Sequence, residues 1–361
     1  MNELAPYSRT DRMLHRLAFH NPVLQEMLAD IESRFFAERW QGFQASSPVF
    51  VTSLPRAGTT ILLEALHRLP GLAVHTYRDM PFLQTPVLWH RLSHFFQRRS
   101  AEQERAHGDG LKVNEDSPEA FEEVLWKKFY SQKYAGTTLP LWQSSDINAE
   151  FTSYFRDHMK KIVSLRQPQQ PVDGRYVSKN NANIARTGAL QSMFPDGHIV
   201  TPFRNPVEHA ISMWRQHQNF LSQHAAEPFV RDYMADIGHY EFGEVHKPIA
   251  MEGLGAILGD MSAESTDYWL AYWICCFEHL SAQQGINFVC YESLCSSPYD
   301  GIAKLVELLK INAGHDEIKS AADVILPAPP NRTDAHEFSP ELVARASRAH
   351  DKLKSLCILA A

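Results

Sequence analysis

The stretch Ser53-Leu54-Pro55-Arg56-Ala57-Gly58-Thr59-Thr60 carries the residue types of an anion cradle. A glycine lets a ligand approach the backbone closely, two hydroxyl residues follow it, and Arg56 adds a full positive charge on a planar donor fork. Where Thr59 and Thr60 open a helix, the first-turn N–H groups have no intrahelical partner and the helix dipole adds partial positive charge at the same spot. Two positions depart from the nucleotide-hydrolase pattern GxxxxGK[ST]: Ser53 stands where its first glycine would be, and Thr59 where its lysine would be. Lacking the lysine that meets the β- and γ-phosphates, the chain reads poorly as an ATPase or GTPase.

The elements around this loop must point it at a ligand. Pro48 to Leu54 is a short β-branched run that predicts a strand, and Leu62, Ala65, Leu66 and Leu69 then recur at helical spacing until Pro70-Gly71. A second unit follows the same plan, with a strand at 198–203, a turn at Arg204-Asn205-Pro206 and a helix at 207–217. A third has a strand at 287–291 and a helix at 299–309. This alternation predicts an α/β, P-loop-like three-layer fold with a mainly parallel central sheet, whose ligands sit beyond the C-terminal strand ends. Residues 12–40 read as two short helices broken at Asn21-Pro22. The expected organisation is a helical extension over 1–45 and one domain over 46–361. Helical insertions at about 80–175 and 217–276 are too long for simple connections.

Composition narrows the partners. With 44% hydrophobic and 21% charged residues among 361, the chain has ordinary globular content, and its net charge of −7 argues against a general nucleic-acid binder. Any bound anion must be met by cations placed locally. Five cysteines in odd number, with no CxxC pair, indicate neither a disulfide framework nor a zinc site. His90 and His94 are four apart, but no third ligand follows nearby, so no metal site is expected. No segment reaches the roughly 20 apolar residues that span a bilayer, and the polar start Met1 to Arg12 lacks the apolar run of a secretory signal. The expected compartment is the cytoplasm.

Pro55-Arg56-Ala57-Gly58-Thr59-Thr60 resembles the 5'-phosphosulfate-binding motif of the sulfotransferase family. The later stretch Thr201-Pro202-Phe203-Arg204-Asn205-Pro206, with Ser212 eight positions after Arg204, resembles the 3'-phosphate-binding segment of the same family. In Tyr176-Val177-Ser178-Lys179-Asn180, Lys179 falls about where the family places a catalytic lysine, and Tyr291-Glu292-Ser293-Leu294 resembles the turn after the donor site. The likeness runs from Pro48 to about Leu309. It implies an enzyme that moves a sulfuryl group from 3'-phosphoadenosine 5'-phosphosulfate (PAPS) to a hydroxyl or amine acceptor in line, without a metal. The acceptor could be a small molecule, glycan, lipid or peptide.

The resemblance also implies roles that this sequence fills unevenly. In the cytosolic branch the base is a histidine two residues after the lysine, whereas Asn181 stands there. The protein-tyrosine branch uses a carboxylate after the loop helix and has arginine in the loop, as here at Arg56. By that likeness Asp79 is the candidate base, with Glu115, Asp116 and His75 as alternatives. The structural alternative pairs Asp79 with Arg78 or Arg56. No Gly-x-x-Gly-x-Trp-Lys segment follows, so Arg332 in Pro329-Pro330-Asn331-Arg332 is the substitute grip on the 3'-phosphate. Trp269, Tyr268 and Trp273 are available to stack on adenine, although their helical spacing also fits a core. Two other readings keep the same loop and sheet: a P-loop kinase or NTPase, and a nucleotide-binding protein without catalysis.

Overall fold

Five short strands form the central sheet, and their side chains alternate between two buried faces. The computed structural model describes residues 9–93, 103–104, 112–113, 116–328 and 338–359. In chain order the strands are β1 (Val49–Val51), β2 (Leu72–Ala73), β3 (Gln103–Glu104), β4 (Lys112–Val113), β5 (Arg175–Lys179), β6 (His198–Phe203) and β7 (Ile286–Cys290). β3 and β4 form a separate two-stranded pair, and the main sheet runs β2-β5-β1-β6-β7 with every pairing parallel. Val49, Val51, Leu72, Val177, Val200 and Val289 pack on one face with the helices Thr59–His67, Pro298–Leu309 and His315–Ala322. Phe50, Ala73, Tyr176, Ile199, Phe203 and Phe288 pack on the other with Ala149–Arg166, Pro206–Ala226, Thr266–Ala282 and Pro340–Ser355. Burial on both faces explains why the strands read as nearly continuous apolar runs. The expected three-layer, P-loop-like α/β fold is the fold observed.

The predicted elements shift at their edges. The first strand is limited to Val49–Val51, the helix after β6 runs on from Pro206 to Ala226, and a short helix at Tyr291–Ser296 precedes Pro298–Leu309. The N-terminal pair is Arg9–Phe19 and Pro22–Phe35, broken at Asn21, whose side chain accepts from the Leu24 N–H. Strand order decides where ligands can go. β1 lies between β5 and β6, with Val51 level with Lys179 on one side and Val200 on the other. The chain segments leaving these three strands therefore emerge side by side at one edge.

Candidate active site

β1 leads into the phosphate loop, and side chains from neighbouring strands hold it. Ser53 donates from Oγ to the Pro202 carbonyl at 2.6 Å, tying the end of β1 to β6, which accounts for serine at a position that is glycine in hydrolases. Arg56 and Gly58 both adopt left-handed backbone, with φ of 72° and 93°. Gly58 is the cap of the helix Thr59–His67 and offers it no side-chain hydrogen bond. A Cβ on Gly58 would lie 2.6 Å from Cδ2 of Tyr291, so only glycine fits there. Ala57 and Thr59 are buried, while Pro55, Arg56, Gly58 and Thr60 are partly open.

The end of β6 reaches the same loop. Arg56 Nε donates to Ser212 Oγ at 3.3 Å, and Arg204 Nη1 donates to the Arg56 carbonyl at 3.4 Å. The Arg204 guanidinium lies 5.2 Å from the centre of the Tyr291 ring, and its buried Nε has no hydrogen-bond partner. No carboxylate pairs with Arg204 among the described residues. Asn205 caps the next helix by accepting from the N–H groups of Val207 and Glu208, and Glu292 Oε1 accepts from the Asn205 N–H at 2.8 Å. The Tyr291-Glu292 turn thus holds the Arg204 turn from behind.

A buried histidine pins the loop. The Trp273 indole N–H donates to His209 Nδ1 at 3.1 Å, so the proton of the neutral ring sits on Nε2, which donates to the Pro55 carbonyl at 2.8 Å. Burial, then the nearby charges of Arg204 and Arg56, lower the His209 pKa to about 3, so the ring is neutral near pH 7. Lys179 closes β5 and is 8% exposed. The next residue, Asn180, is fastened by its N–H to the Val51 carbonyl at 3.0 Å and by its amide to Glu123 Oε2 at 2.7 Å.

Asp79 is 2% exposed and sits in an ion pair: Oδ1 accepts from Arg166 at 2.5 Å, and Oδ2 meets His75 Nδ1 at 3.0 Å and the Thr76 N–H at 3.0 Å. Burial pushes the Asp79 carboxyl up, but Arg166, His75 and the Thr76 N–H together hold it well below the ordinary carboxylate range. Its partner is therefore Arg166, not Arg78, which bonds Asp116, and not Arg56. Trp269 and Trp273 are fully buried and Tyr268 nearly so, within the core around Thr266–Ala282, the alternative that their helical spacing offered. Arg332, Glu115 and His94 lie outside the described residues. No group of three metal-ligating side chains occurs among the described residues. No described helix is long and apolar enough to cross a membrane.

A sequence model of the sulfotransferase family matches residues 48–247, from the start of β1 past the helix that carries Ser212. The chain belongs to the sulfotransferase family. As a member it is a transferase of sulfuryl groups. No curated protein sequence matches it. Among solved structures it is similar to the sulfotransferase STF9 from Mycobacterium avium, with a TM-score of 0.51 and 13% identity over 97% of this chain and 87% of that one. It is also similar to the sulfotransferase STF1 from Mycobacterium tuberculosis H37Rv, with a TM-score of 0.46 and 16% identity over 96% and 86% of the two chains. The STF9 likeness concerns the fold. Within this family member, His209 was not among the residues expected to form the site. His209 had no local signal, since its partners Pro55 and Trp273 are distant in sequence.

Proposed function

We propose that this sulfotransferase takes its sulfuryl group from PAPS. The observation that carries the reading is the meeting of the two phosphate-type motifs, with Arg56, Arg204 and Ser212 converging although roughly 150 residues separate the loop from the others. Arg204 and Ser212 both reach Arg56, so an anion bound at the loop would be met by cations from two strand ends at once. The unpartnered Arg204 Nε is a charged donor that such an anion would satisfy. The residues therefore fit the nucleotide. Arg56 and the N–H groups opening Thr59–His67 would meet the 5'-phosphosulfate, and Arg204 with Ser212 the 3'-phosphate. Arg332 would add to that grip.

The donor supplies an activated sulfur–oxygen bond. The chain's part is to hold that bond in line and to stabilise charge growing on the departing phosphate oxygen, a task for Arg56, Lys179 and the loop N–H groups. His209 keeps the loop carbonyl of Pro55 in place without adding a charge of its own. The compartment that free cysteines support is the cytoplasm.

Calorimetric titration with 3'-phosphoadenosine 5'-phosphate (PAP), with ATP-Mg²⁺ as competitor, tests the donor. Wild type should bind PAP and ignore ATP. Arg204→Ala should weaken binding by roughly 10- to 100-fold, since a hydrogen bond to a charged group contributes about 1.5–3 kcal/mol. Preference for ATP-Mg²⁺, or an unchanged Arg204→Ala affinity, would overturn this reading in favour of a P-loop kinase.

A further inference from the structure

Beside the phosphate loop opens a cleft walled by Leu54, Pro55, Ile184, Tyr240, Ile249 and Tyr272. It borders the loop at Pro55, on the side where Asn181 follows Lys179 and Asn180 out of β5. Four polar residues reach it: Asn181, Glu241, His246 and Lys247. Asn181 is 7% exposed; its Nδ2 donates to Glu241 Oε1 at 2.9 Å, and its Oδ1 is buried with no partner. A buried amide oxygen left unsatisfied costs about 1–3 kcal/mol, so the cleft is built for something that brings a donor. Asn181 is also the only side-chain partner of Glu241 among the described residues, and it fixes the carboxylate in one orientation.

The remaining charges cancel. Lys247 Nζ donates to the Tyr134 carbonyl at 2.6 Å and lies 4.8 Å from the centre of the Tyr240 ring, where it balances Glu241. His246 meets the Tyr268 hydroxyl at 2.8 Å, and burial followed by His217 lowers its pKa to about 4, so it is neutral near pH 7. An apolar wall, one oriented carboxylate and no net charge suit an uncharged occupant that presents a hydroxyl.

Resting on the PAPS reading above, we infer that this cleft binds the acceptor, a small uncharged phenol or alcohol, and that Glu241 is its catalytic base with Asn181 as the positioning residue. The acceptor oxygen forms its bond to sulfur as the bond from sulfur to the 5'-phosphate oxygen breaks. The bonding pair leaves on that phosphate oxygen, and the hydroxyl proton passes to the Glu241 carboxylate. Asn181, at the position where the cytosolic branch has its histidine, supports the base instead of being it.

The test runs wild type, Glu241→Gln, Glu241→Asp and Asn181→Ala through two measurements. One is PAP binding by calorimetry; the other is transfer from labelled PAPS to 2-naphthol, benzyl alcohol and cyclohexanol, with an anionic and a cationic phenol as controls. Wild type should sulfate at least one neutral acceptor in preference to both controls. Glu241→Gln should keep the PAP affinity and lose roughly 10²- to 10⁴-fold in kcat, the range of general base catalysis. Glu241→Asp should recover part of the loss, and Asn181→Ala should raise KM as well as lower kcat. Full turnover by Glu241→Gln would remove it as the base, and loss of PAP binding in that variant would assign it to the donor site. A wild type that binds PAP yet sulfates no neutral member overturns the acceptor class. A wild type that does not bind PAP fails in the first measurement, and there the donor reading itself falls.

Discussion

At the residue scale, the phosphate loop depends on two left-handed residues. Arg56 holds a conformation that costs a residue with a side chain roughly 1–2 kcal/mol, and it does so where its side chain meets Ser212 and its carbonyl meets Arg204. Gly58 has no such freedom to spare. Gly58→Ala should lower stability by more than about 1 kcal/mol, from φ alone, and weaken PAP binding as Tyr291 is displaced; urea denaturation and calorimetry measure the two effects. The relay from Trp273 through His209 to Pro55 makes a separate prediction. Trp273→Phe keeps an aromatic ring but leaves His209 Nδ1 buried and unsatisfied, which should cost about 1–3 kcal/mol in urea denaturation, with some loss of PAP affinity as the loop loosens. Unchanged stability would show that the relay does not hold the loop.

At the scale of elements, the segment after β2 is held by charge inside the protein. Arg166, at the end of the helix Ala149–Arg166, bonds both Thr76 and Asp79. Removing one member of a buried pair leaves the other charge stranded, at a cost of about 3–5 kcal/mol. Arg166→Met should therefore be strongly destabilising, whereas Asp79→Asn retains hydrogen-bonding capacity and should cost less. The Asp79 variant also bears on the base proposed from family likeness: normal turnover in folded Asp79→Asn would leave Asp79 a purely structural residue. The N-terminal helices are joined to the domain in a similar way. Glu32 pairs with Lys161 at 2.8 Å, and the same ammonium lies 5.1 Å from the centre of the Trp40 ring. We therefore propose that the expected extension over 1–45 packs on the domain through its described residues, 9–45. Glu32→Ala should destabilise the whole protein in one transition, which thermal unfolding would reveal as a single lowered midpoint.

For the whole molecule, buried neutral histidines set the response to acid. Burial, then His75 and Lys161, hold His158 well below the ordinary imidazole value, and His209 is lowered to about 3. An unfolded chain protonates these rings near pH 6.5, so below that value the unfolded state binds more protons and stability falls as the pH falls. The loss for His209 continues down toward its folded value of about 3, at about 1.4 kcal/mol per pH unit for each such ring. Asp79 acts in the same direction at lower pH, because its depressed carboxyl stabilises the fold only while ionised. The urea midpoint should drop between pH 7.5 and pH 5; a flat profile would mean that these rings are hydrated in solution.

Much of this was legible before any coordinates. Periodicity located β1, β6 and β7 and the helices that follow them, and the motif residues Arg56, Arg204 and Ser212 stood out by type and spacing. Each of those signals is local, because backbone preference is set by neighbours within a turn or two. The partner of Asp79, the burial of Trp269 and Trp273, the link from His209 to Pro55 and the pairing of Asn181 with Glu241 join residues far apart in the chain. Element identity and the chemistry of the loop therefore belong to the amino-acid sequence by itself. Which charges meet, which aromatics are core and which carboxylate faces the cleft were decided by the tertiary structure, since burial and through-space distance exist only once the sheet has brought distant strand ends to one edge.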